Sequence, residues 1–109
     1  QYALTYPERV PSDRVQTNLT RLGTLTFEEP DTERFPALTL SRRAGEIGGT
    51  LPAVLNAANE TAVQAFLAGA IGFSEISSFV DRTMKAHEVI ADPTLDQILE
   101  ADAWARRQL

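Results

Sequence analysis

The stretch LPAVLNAANETAVQAFLAGA, Leu51 to Ala70, decides how the rest of the chain is arranged. Apolar residues at Leu51, Val54, Leu55, Ala58, Ala62, Val63, Phe66, Leu67 and Ala70 recur three and four apart. Such spacing predicts one continuous face of a helix about 30 Å long, at about 1.5 Å per residue. Asn56, Asn59, Glu60 and Gln64 fall largely off that face. Thr50 stands where a side-chain oxygen caps the first free N–H groups, and Pro52 sits in the first turn, where its missing donor costs nothing. Many of the facing residues are alanine, which lets neighbouring helices approach closely. Phe66 and Leu67 thicken the far end and are expected in the core, where three other helices converge. The pattern is that of the central helix of a small bundle.

Working outward toward the C terminus, Gly69 and Gly72 permit a short turn, and Ser74 is placed to cap the next helix. That helix has the cleanest period in the chain, with Ile76, Phe79, Val80, Thr83, Met84 and His87 at steps of three and four. Asp92-Pro93 breaks it. Thr94-Leu95-Asp96-Gln97 then fits a capping box, threonine at the cap and glutamine three residues on. A last helix carries Leu95, Ile98, Leu99, and beyond them Ala105 and Leu109. Asp102 falls on its apolar face, where an unpaired buried carboxylate is costly, so a helix break near Asp102 is expected, with the carboxylate capping a short AWARRQ turn. Upstream of the central helix, Phe35-Pro36 opens a helix bearing Leu38, Leu40, Ala44 and Ile47, closed by Gly45 and Gly48-Gly49.

The N-terminal third reads differently. Gln1 to Tyr6 has the spacing of the last turns of a helix, with Pro7 stopping it, and PERVPSDRVQTN is a polar linker. Leu25 and Phe27 alternate with Thr24 and Thr26, which makes residues 22–28 the one believable strand. It has no partner here. It either pairs with a sheet supplied by other chain, the favoured alternative, or lies as extended backbone across the helices. The expected fold is mainly α: a small four-helix bundle-like domain over residues 36–109, preceded over residues 1–35 by an extended linker with one orphan β-strand. The absence of an initiator Met and the opening QYAL read as a piece of a longer protein.

Composition removes several classes of function. At 109 residues and 43% apolar content, the chain supplies one modest core. A net charge of -5, with ten scattered basic residues, offers little to a phosphate backbone, so nucleic acid is not an expected partner. There is no cysteine and one histidine, which excludes disulfides, thiolate metal sites and His-rich metal sites. No run approaches the length of a membrane span.

Each candidate for chemistry has a plainer reading beside it. Gly45-Glu-Ile-Gly-Gly-Thr runs into a helix N terminus, where N–H groups can hold an anion, but it lacks the lysine of a phosphate loop and reads as a helix-to-helix turn. Glu28, Glu29 and Asp31 offer oxygens to a hard cation, yet acids before a helix ordinarily meet its positive end and water. His87 is either a general base or a packed, helix-ending histidine, and no nucleophile is assigned to it, which favours the second. Trp104 is a core lid or an interface anchor. Asn56, Asn59 and Glu60 either bond neighbouring loop backbone and fix the packing, the favoured reading, or contact a ligand or partner domain.

The segments GGTLPAVLNAANETAVQAFL (48–67), IGFSEI (71–76), LGTLTFEEPDTERFPAL (22–38) and the tail LDQILEADAWAR together resemble the C-terminal part of the 1-deoxy-D-xylulose 5-phosphate reductoisomerase family. The resemblance covers nearly the whole chain. It implies a parent oxidoreductase of the non-mevalonate isoprenoid pathway that uses NADPH and a divalent metal, magnesium or manganese, to make 2-C-methyl-D-erythritol 4-phosphate. It also implies a cytoplasmic, homodimeric parent whose catalytic domain is this segment's partner. The family's metal, cofactor and phosphate motifs have no counterpart in these residues, so no catalytic, cofactor-binding or metal-ligating residue is assigned. The expected role is support. The contrasting hypothesis is a free-standing helical protein-interaction module using Trp104 or the Asn56 face.

Overall fold

The computed structural model describes residues 2–12 and 17–109. Six helices run along them: α1 Tyr2–Thr5, α2 Leu19–Leu22, α3 Ala37–Ile47, α4 Leu51–Leu67, α5 Phe73–Ala86 and α6 Leu95–Arg106. The protein is mainly α, and α4 is its hub, packing against α3, α5 and α6.

The core is split rather than single. On one side of α4, Leu51, Ala58 and Ala62 meet Leu40 and Ala44 of α3 and Phe79, Val80 and Met84 of α5. On another side, Val54 and Ala57 meet Ala101 and Ala105 of α6, with Trp104 partly covering them. The buried residues thus form two clusters where the sequence suggested one core. At about 100° per residue, Val54 and Ala57 are rotated away from the Leu51–Ala58–Ala62 line, so α4 buries two adjacent faces. Five of its residues are buried, three of them alanines, and the small side chains admit helices on both sides.

The same geometry corrects the placement of Phe66 and Leu67. They are 37% and 71% exposed, not in the core. Leu67 lies about 160° around the helix from Leu51, and Phe66 stands a full turn beyond Ala62, the last buried residue of α4. Phe66 instead meets Phe73 edge to face at 5.7 Å.

Helix ends follow local chemistry, with four departures from expectation. Thr94 and Gln97 form the predicted reciprocal cap: the Thr94 N–H donates to Gln97 Oε1 at 2.9 Å and the Gln97 N–H to Thr94 Oγ1 at 3.3 Å. Ser74, by contrast, lies inside the first turn of α5. Gly72 holds the cap position, and its N–H donates to the Glu75 carboxylate at 2.7 Å. Gly45 does not end α3, which continues to Ile47 and closes at Gly48, φ 70°, whose N–H donates to the Ala44 carbonyl at 2.9 Å. Helix α6 runs unbroken past Asp102, because that carboxylate is half-exposed and pairs with Arg106 one turn on. Thr50 precedes α4 as expected but makes no side-chain cap, its hydroxyl being engaged elsewhere.

Residues 2–39 contribute no buried side chain among those described. Pro7 follows the α1 turn as the sequence suggests, and Asn18 caps α2, an element the linker reading did not contain, by accepting from the Arg21 N–H. Gln1 and linker residues 13–16 lie outside the described residues. The expected strand at 22–28 does not form: Leu22 ends α2, residues 23–31 are irregular, and the described residues hold no strand with which they could pair. The unpacked N-terminal segment raises the radius of gyration to 18.8 Å, against about 13 Å for a compact chain of this length.

Candidate functional site

Two polar junctions fasten the helices around α4, and between them they absorb most of the residues that the sequence marks for chemistry. The first is built on Thr50, which is wholly buried. Its hydroxyl lies 2.7 Å from His87 Nε2 and accepts from the Ile90 N–H at 3.1 Å, while its own N–H donates to the Ile90 carbonyl at 3.1 Å. One threonine thus ties the start of α4 to the segment between α5 and α6. A neutral His87 with Nε2 unprotonated accepts the hydroxyl hydrogen and leaves the oxygen lone pairs to Ile90. Partial burial holds the His87 imidazole below its ordinary pKa, and the Glu88 carboxylate opposes that shift. Trp104 of α6 covers the ring, the two centroids 5.2 Å apart. His87 ends α5, and Trp104 lids it.

This junction also decides the Gly48-Gly49-Thr50 loop. Gly49 has φ 58°, and a Cβ on it would lie 2.2 Å from the Ile90 carbonyl oxygen. The Ile90 carbonyl oxygen packs against Gly49 and takes the Thr50 N–H. The loop is a turn packed on backbone.

The second junction is solvent-exposed and joins α4 to α6. Arg106 donates to Glu60 Oε2 at 2.7 Å and to both Asp102 oxygens, at 2.7 and 3.1 Å. Asn56 donates to Glu60 Oε1 at 3.3 Å. Arg106 and Asn56 together hold the Glu60 carboxyl below its ordinary pKa, and the two carboxylates push the Arg106 guanidinium up. Asn56 and Glu60 are therefore not the loop-backbone anchors expected of them. Asn59 is exposed and lines the shallow recess beside Glu60 and Arg106. The i,i+4 pairs Asn56–Glu60 and Asp102–Arg106 are visible in sequence. The Glu60–Arg106 bridge, 46 residues long, is not.

The acids before α3 do not converge. Asp31 accepts from the Arg34 N–H at 2.9 Å as an ordinary turn residue. Among the described residues no group of three His, Asp or Glu side chains is gathered to hold a metal ion. No helix among the described residues is long and apolar enough to cross a membrane.

The described residues define a mainly α domain with a split core, preceded by a segment that buries no side chain. Residues 1–108 match the family described as DXP reductoisomerase C-terminal domain, and the chain belongs to that family. It is 59% identical over 108 residues to 1-deoxy-D-xylulose 5-phosphate reductoisomerase of Desulforamulus reducens, covering 99% of this chain and 28% of the relative. The Pelotomaculum thermopropionicum reductoisomerase is 58% identical over 106 residues, 97% of this chain and 27% of the relative. Among solved structures, the Zymomonas mobilis reductoisomerase in complex with NADPH superposes with a TM-score of 0.80 at 42% identity, over 98% of this chain and 28% of that one. A reductoisomerase in complex with magnesium gives 0.78 at 35% identity, over 97% and 29%. The chain spans a little over a quarter of the length of the relatives it matches.

Proposed function

We propose that this chain is the C-terminal supporting part of a 1-deoxy-D-xylulose 5-phosphate reductoisomerase, with residues 1–35 the end of the catalytic domain and a linker, and residues 36–109 the C-terminal helical domain. The observation that carries the proposal is the family match over residues 1–108 together with polar junctions whose groups are occupied by one another. The parent enzyme converts the ketose phosphate to 2-C-methyl-D-erythritol 4-phosphate with NADPH and magnesium or manganese, all bound outside these residues. It works in the cytoplasm as a homodimer, without nucleic acid or membrane. No residue of this chain is assigned a catalytic, cofactor-binding or metal-ligating role. The domain acts by holding the catalytic domain in shape, since reacting groups need positioning to about half an ångström. A free-standing interaction module has less support, because Trp104, its intended anchor, is engaged with His87.

The test has two arms. The isolated 109 residues should neither oxidise NADPH with the ketose phosphate nor bind either ligand more tightly than about millimolar. Deleting residues 36–109 from the parent should abolish solubility or turnover. Metal-dependent turnover by the isolated chain would overturn the proposal.

A further inference from the structure

The turn between α4 and α5 carries a surface that the domain itself does not explain. From Thr61 to Ser74 the sequence TAVQAFLAGAIGFS contains no charged residue and no histidine. Protein surfaces are ordinarily about 25–35% charged, so a solvated stretch of this length should carry several charges. Ala62 lies in the core and Thr61, Val63, Ala65 and Ile71 are partly buried, but the turn itself is open: Phe66, Leu67 and Phe73 are 37%, 71% and 77% exposed, and residues 68–70 are exposed with them. The two phenylalanines meet edge to face at 5.7 Å, making a fixed aromatic knob, and the Ala and Gly positions beside it let another backbone come close. Phenylalanine is among the residues enriched at the buried cores of interfaces.

Resting on the reading of this chain as a C-terminal domain, we infer that the Phe66–Leu67–Phe73 knob docks on the preceding part of the same parent chain. The area argues for that occupant over a second copy. A free-standing dimer needs about 800 Å² from each partner, more than three partly exposed side chains and a small turn can offer. A tethered domain needs less, because linkage supplies a high effective concentration, and contacts between domains of one chain start at about 600 Å². The relatives leave nearly three quarters of their length to provide that surface. Two copies of this chain, each at a net charge of -5, would also meet against repulsion.

Hydrogen exchange over residues 64–74, compared between the full-length parent and the 109-residue chain, tests this without any substitution. Slowing by about tenfold or more in the parent is expected. The double variant Leu67→Glu, Phe73→Glu in the parent should return exchange to the rate of the isolated chain. Leu99→Glu, on the exposed side of α6, should not. Equal exchange in the two unmodified chains would overturn the inference, as would protection of the isolated chain that rises with its concentration, which would make a second copy the occupant. The supporting role stands or falls separately, on deletion of residues 36–109. If deletion is harmful while residues 64–74 exchange equally, the role survives and this docking surface does not.

Discussion

Phe79 and Phe27 are the same side chain under opposite conditions, 3% exposed in one case and 88% in the other. Phe79 belongs to a helix whose three- and four-residue spacing finds α3 and α4 waiting within the same chain. Phe27 belongs to a segment whose two-residue alternation calls for a neighbouring strand, and the described residues have none. Helices satisfy their backbone hydrogen bonds internally and need a partner only for one face, whereas a strand needs a partner for its backbone as well. That difference is why residues 37–109 pack and the described residues among 2–36 do not.

The contrast breaks hardest at the core. Phe79→Ala should destabilise the chain by about 3–5 kcal/mol, since it removes a buried ring from a site closed on several sides. Leu67→Ala, of comparable apolar character but 71% exposed, should stay within about 0.5 kcal/mol. Urea unfolding of both variants, read at constant m-value, checks the pair. Equal losses would restore the single continuous α4 face that the structure replaces with two.

Gly49→Ala comes next. The residue has φ 58°, and the added Cβ would meet the Ile90 carbonyl oxygen and carbon, which are backbone and cannot rotate away. Strain of this kind is worth about 1–3 kcal/mol before the clash is counted. Gly69→Ala has a similar φ of 74° with open space around it, so it should lose only the conformational part. A thermal melt of the two variants separates strain from contact, and equal shifts would mean that the Ile90 approach contributes nothing.

These sites also show what was legible. The α5 stripe Phe79, Val80, Thr83 and Met84 and the Thr94–Gln97 cap are local, and local periodicity states them outright. Ala57 and Ala101 were not legible, because alanine carries no signal of its own and the second α4 face exists only once α6 lies on it. Asp102 misled because a carboxylate on an apolar stripe looks costly until Arg106, four residues on, is counted as its partner. Thr50 was marked as a cap from its position, but the groups that claim its hydroxyl sit 37 and 40 residues away. The family resemblance was visible because it rests on contiguous motifs, whereas the two polar junctions rest on distant pairs.

The Thr50–His87 contact gives a smaller, pH-dependent effect on the packed part. Burial lowers the folded pKa of His87 below the ordinary value of 6.5, so the unfolded chain binds the proton more readily. Stability from this group is therefore fully present above about pH 6.5 and declines as pH falls toward the lower folded value. Protonation also turns Nε2 into a donor to the Thr50 oxygen, whose own hydrogen then loses His87 as its acceptor. The Glu88 carboxylate softens the effect by favouring the cation. Chemical denaturation at several values between pH 5 and 8 should show the loss in the unsubstituted chain and less of it in His87→Gln. An identical pH slope in the two would remove His87 as its source.

The smallest effect is expected in the N-terminal segment, and there a null result carries information. Leu25 is 59% exposed and Phe27 88%, and neither contributes to either core cluster. Leu25→Ser and Phe27→Ser should therefore leave the unfolding midpoint of the 109-residue chain within the error of about 0.5 kcal/mol expected for surface changes. The same two substitutions in the longer parent should be costly, because alternating apolar residues on an irregular segment become useful only when another surface covers them. Limited proteolysis reads the same difference: cleavage before Pro30 in the isolated chain, and resistance at that point in the parent. A clear loss of stability in the isolated chain would mean that Leu25 and Phe27 pack on the helices after all. The contrast with Phe79 would then be one of degree, set by how many neighbours each ring finds, and not by the absence of a strand partner.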